Sequence, residues 1–374
     1  MKFSVAGDSH GQAMYGLIEG LPAGFPVSID EIDKNLQRRQ RGYGRGKRMG
    51  LEHDRAIIKS GLWNDLTTGA PILIEIANLA PRSEKETRSI PRPGHADYAA
   101  WTKYRLSDLT IYAERSSARW TAALVSIGSI ACQMLSKLGI EIVSSVIAIG
   151  KIQCPIPDSV CVVARDASPV YCHDKLASGE MVAEIEKAID KGDTLGGIFA
   201  VSAYGLPSGI GGYGELFERL DSKIGRYFLA IPSVKGVFVG NPDVSLPGSQ
   251  YHDPFAVSDG KVSRLSNNAG GVEGGISNGQ PLVVVASVKP IPTLENGIDS
   301  VNLKSMNLEK TPYVRSDVTA VPAASVVGES MLGLLLLESI LEKYGNDSFD
   351  LLKGRLENES LPCWNDGLGE KHHR

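Results

Sequence analysis

The sequence predicts one large α/β-type domain in which buried helices lie between sheets. Predicted helices and strands alternate irregularly along the 374 residues, and the chain has neither an internal repeat nor a linker rich in Pro and Ser. The stretch 116–138 is apolar on nearly every side, which indicates a helix enclosed within layers rather than one lying on a surface. We therefore expect a single domain over residues 1–364, followed by a polar, disordered tail over 365–374.

The first third of the chain predicts two strands and a helix. Residues 2–6 predict a short strand that ends in a polar turn over 7–11. A helix is expected over 30–40, because Ser28 and Glu31 have the spacing of a capping box. The apolar run 72–77 is interrupted only by Glu75, which is typical of a largely buried strand.

The rest of the chain predicts further strands and longer helices. The apolar helix 116–138 ends at Gly139, a residue typical of a C-terminal cap. Pro322 and Gly345 mark the start and end of a final long helix. The remaining predicted elements are helices over 179–191 and 216–224, and strands over 197–204, 236–240 and 282–289.

Composition and charge exclude several classes of function. Hydrophobic residues make up 42% and charged residues 22%, as in ordinary globular proteins, and a net charge of −4 argues against a nucleic-acid-coating chain. Five cysteines without CxxC or Cys/His spacing favour a reducing compartment and argue against a disulfide framework and a zinc site. The chain begins without an apolar secretory core, and its longest apolar run is too short to cross a membrane. A cytoplasmic location is therefore predicted.

A basic, glycine-rich segment over 38–48 is the first candidate for chemistry. It carries six cations in eleven residues, and the glycines between them would allow the loop to fold around a multiply charged anion. Arginine pairs with phosphate and carboxylate through two parallel hydrogen bonds. The alternatives are a solvated basic loop and an RNA-binding arm; only Tyr43 could stack on a base, which disfavours the second.

Two histidines lie in turn-like contexts and are candidates for proton transfer. His10 follows Ser9, and His95 lies between Arg92 and Asp97. Imidazole titrates near neutral pH, so either ring could move a proton during catalysis. An isolated loop histidine is more often inert, but these neighbours make both rings stronger candidates than average.

Three further segments could bind an anion or a cofactor. Residues 114–119 are predicted to lie at the N-terminus of the buried helix, where free backbone amides, hydroxyls and arginines attract anions. The alternative is a simple cap with a surface ion pair. The glycine-rich run 266–279 would allow close backbone approach to a ligand. Segment 289–293 follows a strand, and segment 315–317 precedes the last helix. By itself, Asp317 in the second segment is more typical of an ion pair.

One motif with dinucleotide-binding spacing is rejected. Residues 209–214 match G-x-G-x-x-G, but four residues separate them from the preceding strand. The stretch 232–240, where such a fold needs an acidic residue, has none. This segment is therefore predicted to be a loop.

Taken in order, these segments resemble chorismate synthases. The family motif G-[DE]-S-H-G is matched by 7–11, R-R-x-x-G-x-G-R by 38–45, R-P-G-H-A-D by 92–97 and E-R-[AS]-S-A-R by 114–119. The run 266–277, the lysine–proline turn and Arg-Ser-Asp complete a resemblance that extends over about residues 1–345. It implies a single-domain β-α-β sandwich, with helices between antiparallel sheets, assembled as a homotetramer.

The resemblance also implies a reaction and its cofactor. Chorismate synthases eliminate phosphate and a C6 hydrogen from 5-enolpyruvylshikimate 3-phosphate, in a 1,4-anti elimination that gives chorismate. Reduced FMN is required without net oxidation, because it donates electron density transiently. The reduced flavin could come from a separate flavin reductase, or from NADPH if the enzyme reduces its own flavin.

Residue roles carried over from the family are as follows. His10 would protonate the departing phosphate, and His95 would protonate or stabilise the reduced flavin. Asp317, with Ser9 and Ser117 as polar relays, would assist proton transfer. The substrate-binding residues would be Arg39, Arg45, Arg48 and Arg119. The cofactor-binding residues would be Arg115, Ser116, Ser117, Ser233, Gly274, Lys289, Pro290, Ile291, Pro292, Thr293 and Arg315; no metal ligand is implied.

The sequence departs from the family pattern at a few positions. Trp120 stands where Glu is usual, Thr110 and Leu124 stand where arginines are common, and Pro232-Ser233 replaces a pair that ends in Ala. These departures leave all the expected catalytic residues in place, so an active but divergent enzyme is predicted. The competing hypotheses are a flavoprotein with redox output, such as a flavin reductase, and a catalytically impaired flavin-binding or assembly protein on the same fold.

Overall fold

The computed structural model describes residues 1–46, 54–79, 87–258, 261–313 and 316–359. Its longer strands are β1 (Lys2–Gly7), β2 (Ala13–Glu19), β3 (Ile57–Ser60), β6 (Ile72–Ala77), β7 (Glu141–Ile149), β9 (Gly197–Tyr204), β10 (Val234–Val239), β11 (Phe255–Ser258), β12 (Lys261–Arg264) and β15 (Leu282–Val288). Its shorter strands are β4 (Leu62–Trp63), β5 (Leu66–Thr67), β8 (Ile152–Gln153), β13 (Val272–Glu273), β14 (Ile276–Ser277), β16 (Asp299–Val301) and β17 (Leu308–Lys310).

The helices divide into long core helices and short peripheral ones. The long ones are α1 (Ile29–Gln40), α4 (Thr121–Lys137), α6 (Lys175–Asp190), α7 (Leu220–Leu229) and α9 (Val321–Tyr344). The short ones are α2 (Asp97–Tyr104), α3 (Leu109–Ser116), α5 (Val162–Ala167), α8 (Gly248–Tyr251) and α10 (Phe349–Glu357), with a 3₁₀ turn over Ala118–Trp120.

Two antiparallel sheets form the outer layers. The first has the order β1-β2-β6-β3, and burial alternates along β2 and β6, so one face of this sheet packs inward. The second has the order β10-β15-β9-β7-β8, and its central strands are buried along nearly their whole length. Ile147, Ala200 and Val285 form a small apolar cluster of their own in that sheet. Every strand pair in both sheets is antiparallel.

A layer of helices fills the space between the sheets. Helix α4 packs on β2 and β6 of the first sheet, while α9 packs on β7 and β9 of the second, and the two helices pack on each other. Glycine permits this close approach: a Cβ on Gly128 would lie 2.4 Å from Cβ of Ser330, and one on Gly333 would lie 2.5 Å from Sγ of Cys132. The predicted sandwich of buried helices between antiparallel sheets is confirmed.

Helix α9 is the most hydrophobic element of the described chain. It is long and apolar enough to cross a membrane, but 94% of its most apolar window is buried inside the protein. Burial of this kind is the pattern of a core helix.

A charged cluster is enclosed at one side of this helical layer. Glu329 of α9 accepts two hydrogen bonds from Arg38, at 2.7 and 2.9 Å, and one from Arg165 at 2.8 Å. The amide and hydroxyl of Ser144 also donate to it, at 2.8 and 2.7 Å. Burial alone would raise the pKa of Glu329, but the two arginines outweigh that effect and hold it at about 2. Asp166 adds a second carboxylate, 2.7 Å from Nε of Arg165 and 3.7 Å from Nε of Arg38. We call Arg38, Ser144, Arg165, Asp166 and Glu329 the closed cluster.

Several predicted boundaries were right. Strands 72–77 and 197–204 have the observed bounds, and Ser28 caps α1 by accepting from the amide of Glu31. Gly139 follows the end of α4 with φ of +83°, as a C-terminal cap requires. The segment 209–214 contains neither helix nor strand, as predicted.

Three predicted helix starts were wrong. The buried helix begins at Thr121 instead of 116, because the extended backbone of Ser117 separates α3 from the following 3₁₀ turn. Helix α6 begins four residues earlier than predicted, since Asp174 caps it by accepting from the amide of Ala177. Helix α7 begins at Leu220 instead of 216. Residues 114–116 therefore end a helix, and the predicted helix N-terminus at 114–119 is corrected.

Candidate active site

One large cavity, of about 1190 Å³, collects nearly all the sequence motifs. Its walls come from the turn after β1, the end of α1, the residues between α3 and α4, the turn after β15 and the segment before α9. The predicted site residues that line it are Ser9, His10, Arg39, Arg45, His95, Ser116, Ser117, Arg119, Ser233, Lys289, Ile291, Pro292, Thr293 and Asp317. Residues up to 308 positions apart in the chain thus meet in one concave site, which is typical of a ligand site.

The imidazole of His10 is hydrogen-bonded to a carboxylate. Its Nδ1 lies 2.7 Å from Oε1 of Glu114, and the backbone amide of His10 donates to Oε2 at 2.8 Å. The hydroxyl of Ser9 donates to the same Oε2 at 3.0 Å. Burial would raise the pKa of Glu114, but the hydrogen bonds and charge supplied by His10 outweigh it, and the pKa lies below its ordinary value. The carboxylate on Nδ1 therefore fixes the orientation of the imidazole.

His95 is held in the same way by a different carboxylate. Its Nδ1 lies 2.6 Å from Oδ1 of Asp97, and Arg92 donates to both oxygens of Asp97, at 2.8 and 3.1 Å. Burial would raise the pKa of Asp97, but the hydrogen bonds from His95 and Arg92 outweigh it and hold the pKa far below its usual range. Asp97 therefore stays ionised and orients the imidazole.

Two arginines that line the cavity share a buried carboxylate. Asp54 is 3% exposed and accepts from Arg119 at 2.6 and 2.7 Å and from Arg39 at 3.4 Å. Arg39 also donates to Thr121 at 2.8 Å, while Arg119 donates to Asn78 at 2.8 Å. Burial lowers the pKa of Arg39 to about 10, against the attraction of Asp54. Two cations against one carboxylate leave this part of the cavity electropositive.

Arg45 and Asp317 form the opposite wall. Nη1 of Arg45 lies 2.6 Å from Oδ2 of Asp317, and the backbone amide of Gly46 donates to Oδ1 at 2.7 Å. The pairing ties the basic loop to the segment before α9. Nε of Arg45 is buried and has no hydrogen-bond partner among the described residues, so it is available to an anionic ligand.

The segment after β15 contributes a mixed polar and apolar wall. Lys289 donates from its ammonium group to the carbonyl of Gly94, and its amide donates to the carbonyl of Ser233 at 2.9 Å. Ser233 has φ of +70°, a left-handed conformation that is strained for a residue with a Cβ. Thr293 accepts from Ser316 through its carbonyl at 3.0 Å. Pro292 and Ile291 supply apolar surface beside these groups.

Some predicted site residues are not brought to the cavity. Arg115 is exposed at the end of α3, Gly274 lies in the turn between β13 and β14, and Pro290 does not line the cavity. The run 266–279 as a whole contributes no lining residue among those described. Arg48 and Arg315, like the predicted tail 365–374, lie outside the described residues.

The departures from the family pattern lie at two kinds of position. Thr110 and Leu124 are buried, and Trp120 packs against the core, so these three contribute to packing. Pro232 and Ser233 line the cavity itself.

Sequence reasoning missed three groups that complete the site. Asp54 follows the basic loop without a motif of its own, and Asn78 simply ends a strand. Glu114 was part of a recognised segment but was given no role, because its partner His10 is 104 positions away. A carboxylate inside a motif that otherwise carries arginines and hydroxyls was the available signal for Glu114.

Comparisons with known proteins point to one family. A family model described as chorismate synthase matches residues 1–341. The chorismate synthase of Thermotoga maritima is 51% identical over 377 aligned residues, which span both chains completely. That of Desulforudis audaxviator is 44% identical over 93% of this chain and 94% of the relative.

A solved structure shows the same architecture. The crystal structure of a chorismate synthase superimposes with a TM-score of 0.79 at 34% identity, and the match covers 96% of each chain. The family model, the relatives and the solved structure each match most or all of the chain. The chain therefore belongs to the chorismate synthase family, the lyases that form chorismate in aromatic amino acid biosynthesis.

Proposed function

We propose that the cavity binds reduced FMN together with 5-enolpyruvylshikimate 3-phosphate, and that the chain catalyses the 1,4-anti elimination of phosphate to give chorismate. The observation that carries the proposal is the convergence of two carboxylate-held imidazoles and three arginines in one cavity. Arginines match the charges of a phosphate and of carboxylates, and imidazoles can move protons at neutral pH.

The residues present fit a flavin mononucleotide beside a second small anion. A volume of about 1190 Å³ exceeds what one drug-sized ligand occupies. Apolar side chains such as Ile231 and Pro292 suit a planar ring, while Lys289 and the hydroxyls of Ser116 and Ser117 suit a phosphate. The buried, unpaired Nε of Arg45 supports an anionic occupant.

We assign the cofactor to the wall formed by Ser116, Ser117, Ser233 and the segment 289–293. The resemblance also implies this role for Arg115, Gly274 and Arg315, of which Arg115 and Gly274 do not line the cavity and Arg315 lies outside the described residues. When bound, reduced FMN supplies the transient electron density that allows a poorly acidic C–H bond to break. Asp97 would hold the Nδ1–H of His95, so the protonated imidazole would donate to the cofactor from Nε2.

The substrate is assigned to the arginines on the opposite side. Arg39, Arg45 and Arg119 would clamp the phosphate and carboxylates, with Arg48 as a fourth member from the resemblance. Nε2 of His10 would donate a proton to the departing phosphate, while Glu114 holds the imidazole by its Nδ1. Fixed cations that line the site would stabilise charge that develops on the leaving group.

Asp317 would complete the proton path. Its carboxylate is tied to Arg45 and to the amide of Gly46, which fixes its position at the cavity wall. Ser9 and Ser117 also line the cavity and can relay a proton between fixed groups.

The assembly and setting are further parts of the proposal. We expect a homotetramer in the cytoplasm, since the family resemblance and the absence of paired cysteine motifs both favour it. The reduced flavin would come from a separate flavin reductase, or from NADPH if the chain reduces its own cofactor. Oxidation of NADPH by the purified protein with FMN, or its absence, separates these two sources.

The test is an anaerobic assay with dithionite-reduced FMN and 5-enolpyruvylshikimate 3-phosphate. Chorismate absorbance and phosphate release are followed together. Equal amounts of both products, formed with reduced but not with oxidised FMN, are expected. A folded, FMN-binding protein that forms neither product would reject the proposal in favour of a catalytically impaired flavin-binding protein.

A further inference from the structure

Three potential metal ligands meet outside the cavity, in a place where no motif predicts them. Cys154 follows β8, while Cys172 and His173 precede α6. The two sulfur atoms lie 3.7 Å apart, and a ring nitrogen of His173 completes a set whose atoms all lie within 4.8 Å of one another. Cys154 is 5% exposed and Cys172 is 1% exposed, so the group is largely shielded from water.

The separation of the sulfurs fits a shared metal. Two thiolates bound to one tetrahedral metal at about 2.3 Å lie about 3.8 Å apart, whereas a disulfide requires about 2.0 Å. The hydroxyl of Ser145 lies 3.0 Å from Nδ1 of His173 and accepts from the amide of His173 at 3.0 Å. This hydroxyl fixes the orientation of the imidazole, as outer-shell partners of metal-binding histidines do.

We propose that Cys154, Cys172 and His173 form a binding site for a thiophilic divalent cation of the Zn²⁺ type. Two thiolates carry a total charge of −2 and the imidazole is neutral. A bound divalent cation therefore makes the site electroneutral, which suits a buried position. The entering ion replaces the thiol proton of Cys154 and any proton on Cys172, which leave to solvent, and no electron is transferred. The site is separate from the proposed flavin chemistry and does not depend on it.

The position of the site gives it a structural consequence. The hydroxyl of Tyr171, next to Cys172, donates to the carbonyl of Arg38 at 2.9 Å. The amide of Tyr43, in the basic loop, donates to the carbonyl of Pro169 at 2.8 Å. A metal that fixes Cys172 to Cys154 therefore also stiffens the segment that supports the basic loop.

The test titrates the full-length chain with Cd²⁺ in a non-thiol reductant, because cadmium–thiolate bonds absorb in the ultraviolet. We expect one Cd²⁺ per chain, displacement by Zn²⁺ and a higher unfolding temperature with either ion. Cys154→Ser and Cys172→Ser should each weaken binding more than about 100-fold, since each removes a direct ligand. Cys161→Ser, which changes an exposed cysteine in the same region, should bind as the wild type does.

His173→Gln keeps both buried thiols and tests the site if a cysteine variant does not fold. It should retain the thiolate absorbance but weaken binding by about 10–100-fold. The proposal is overturned if the wild type binds no Cd²⁺ or Zn²⁺ at one equivalent, or if Cys154→Ser and Cys172→Ser bind like Cys161→Ser. A Cys154–Cys172 disulfide that forms even with Zn²⁺ present would also overturn it.

Discussion

Arg38 and Arg39 are adjacent in the sequence, yet they belong to two charged regions of different design. Arg38 joins the closed cluster, where two arginines are paired with two carboxylates, those of Glu329 and Asp166. Arg39 lines the cavity, where it shares a single carboxylate with Arg119. From this difference we infer that a buried arginine stabilises the fold where carboxylates balance its charge. Where arginines outnumber carboxylates, the excess positive charge binds an anionic ligand.

The largest effect is expected on turnover, from a variant that removes an imidazole of the cavity and none of its arginines or carboxylates. His95→Ala should lower turnover by about 10²–10⁴-fold, the usual contribution of a positioned acid–base group. The anaerobic assay with reduced FMN measures it. His252→Ala removes an exposed histidine that does not line the cavity and should leave turnover unchanged. Wild-type turnover in His95→Ala would remove this imidazole from the mechanism.

The closed cluster should respond in stability and not in chemistry. Glu329→Gln removes the buried carboxylate shared by Arg38 and the buried Arg165, which then keep only Asp166 as an anionic partner, so the free energy of unfolding should fall by about 3 kcal/mol. Urea unfolding at fixed protein concentration measures this, with Glu180→Gln on an exposed face of α6 as the matched control. Equal stability of the two variants would show that the closed cluster contributes nothing to the fold.

The same cluster predicts how stability depends on acid pH. Glu329 has a folded pKa of about 2 against an ordinary value of 4.5. Because the folded pKa is the lower one, its stabilisation is complete above about pH 4.5 and is lost as the pH falls toward 2. Over that window the wild type should lose about 3 kcal/mol more of its free energy of unfolding than Glu329→Gln loses. Parallel curves for the two proteins would contradict this assignment.

Much of the fold could be predicted from the sequence because its signals are local. The alternation along 72–77 and the cap at Ser28 depend only on neighbouring residues, and both predictions were confirmed. The start of α4 was wrong because Ser117 takes an extended conformation, which a uniformly apolar pattern does not reveal. Propensity cannot show where tertiary contacts interrupt a helix.

The site was predictable in its parts but not in its pairings. The motif residues were visible in the chain, and most of those that the structure describes line one cavity, although the run 266–279 does not. That Glu114 would hold His10, or that Asp54 would lie between two arginines, depends on contacts between distant segments. The approach of Cys154 to Cys172 was hidden for the same reason, since the spacing of the cysteines matches no ligand motif.

A smaller effect is expected from a residue that acts through His10. Glu114→Gln removes the carboxylate charge next to Nδ1 of His10 while keeping a side chain of the same shape. Turnover should fall by about 10–100-fold, since a hydrogen bond to a charged group contributes about 1.5–3 kcal/mol. A purely structural role would leave the pH profile of turnover unchanged, whereas a positioning role should shift its acidic or basic limb. An unchanged profile together with an unchanged rate would exclude the positioning role.

The most direct measurement compares Arg38→Met with Arg39→Met for kcat/KM and for the free energy of unfolding. In each variant the carboxylate left behind keeps another arginine, Arg165 at Glu329 and Arg119 at Asp54. We predict that Arg39→Met loses at least about 100-fold in kcat/KM with a small change in stability, as loss of a charged ligand contact implies. Arg38→Met should lose stability while kcat/KM per folded molecule stays within about threefold of the wild type. The same pattern in both variants would contradict the division of this chain into a ligand-binding cavity and a closed, structural cluster.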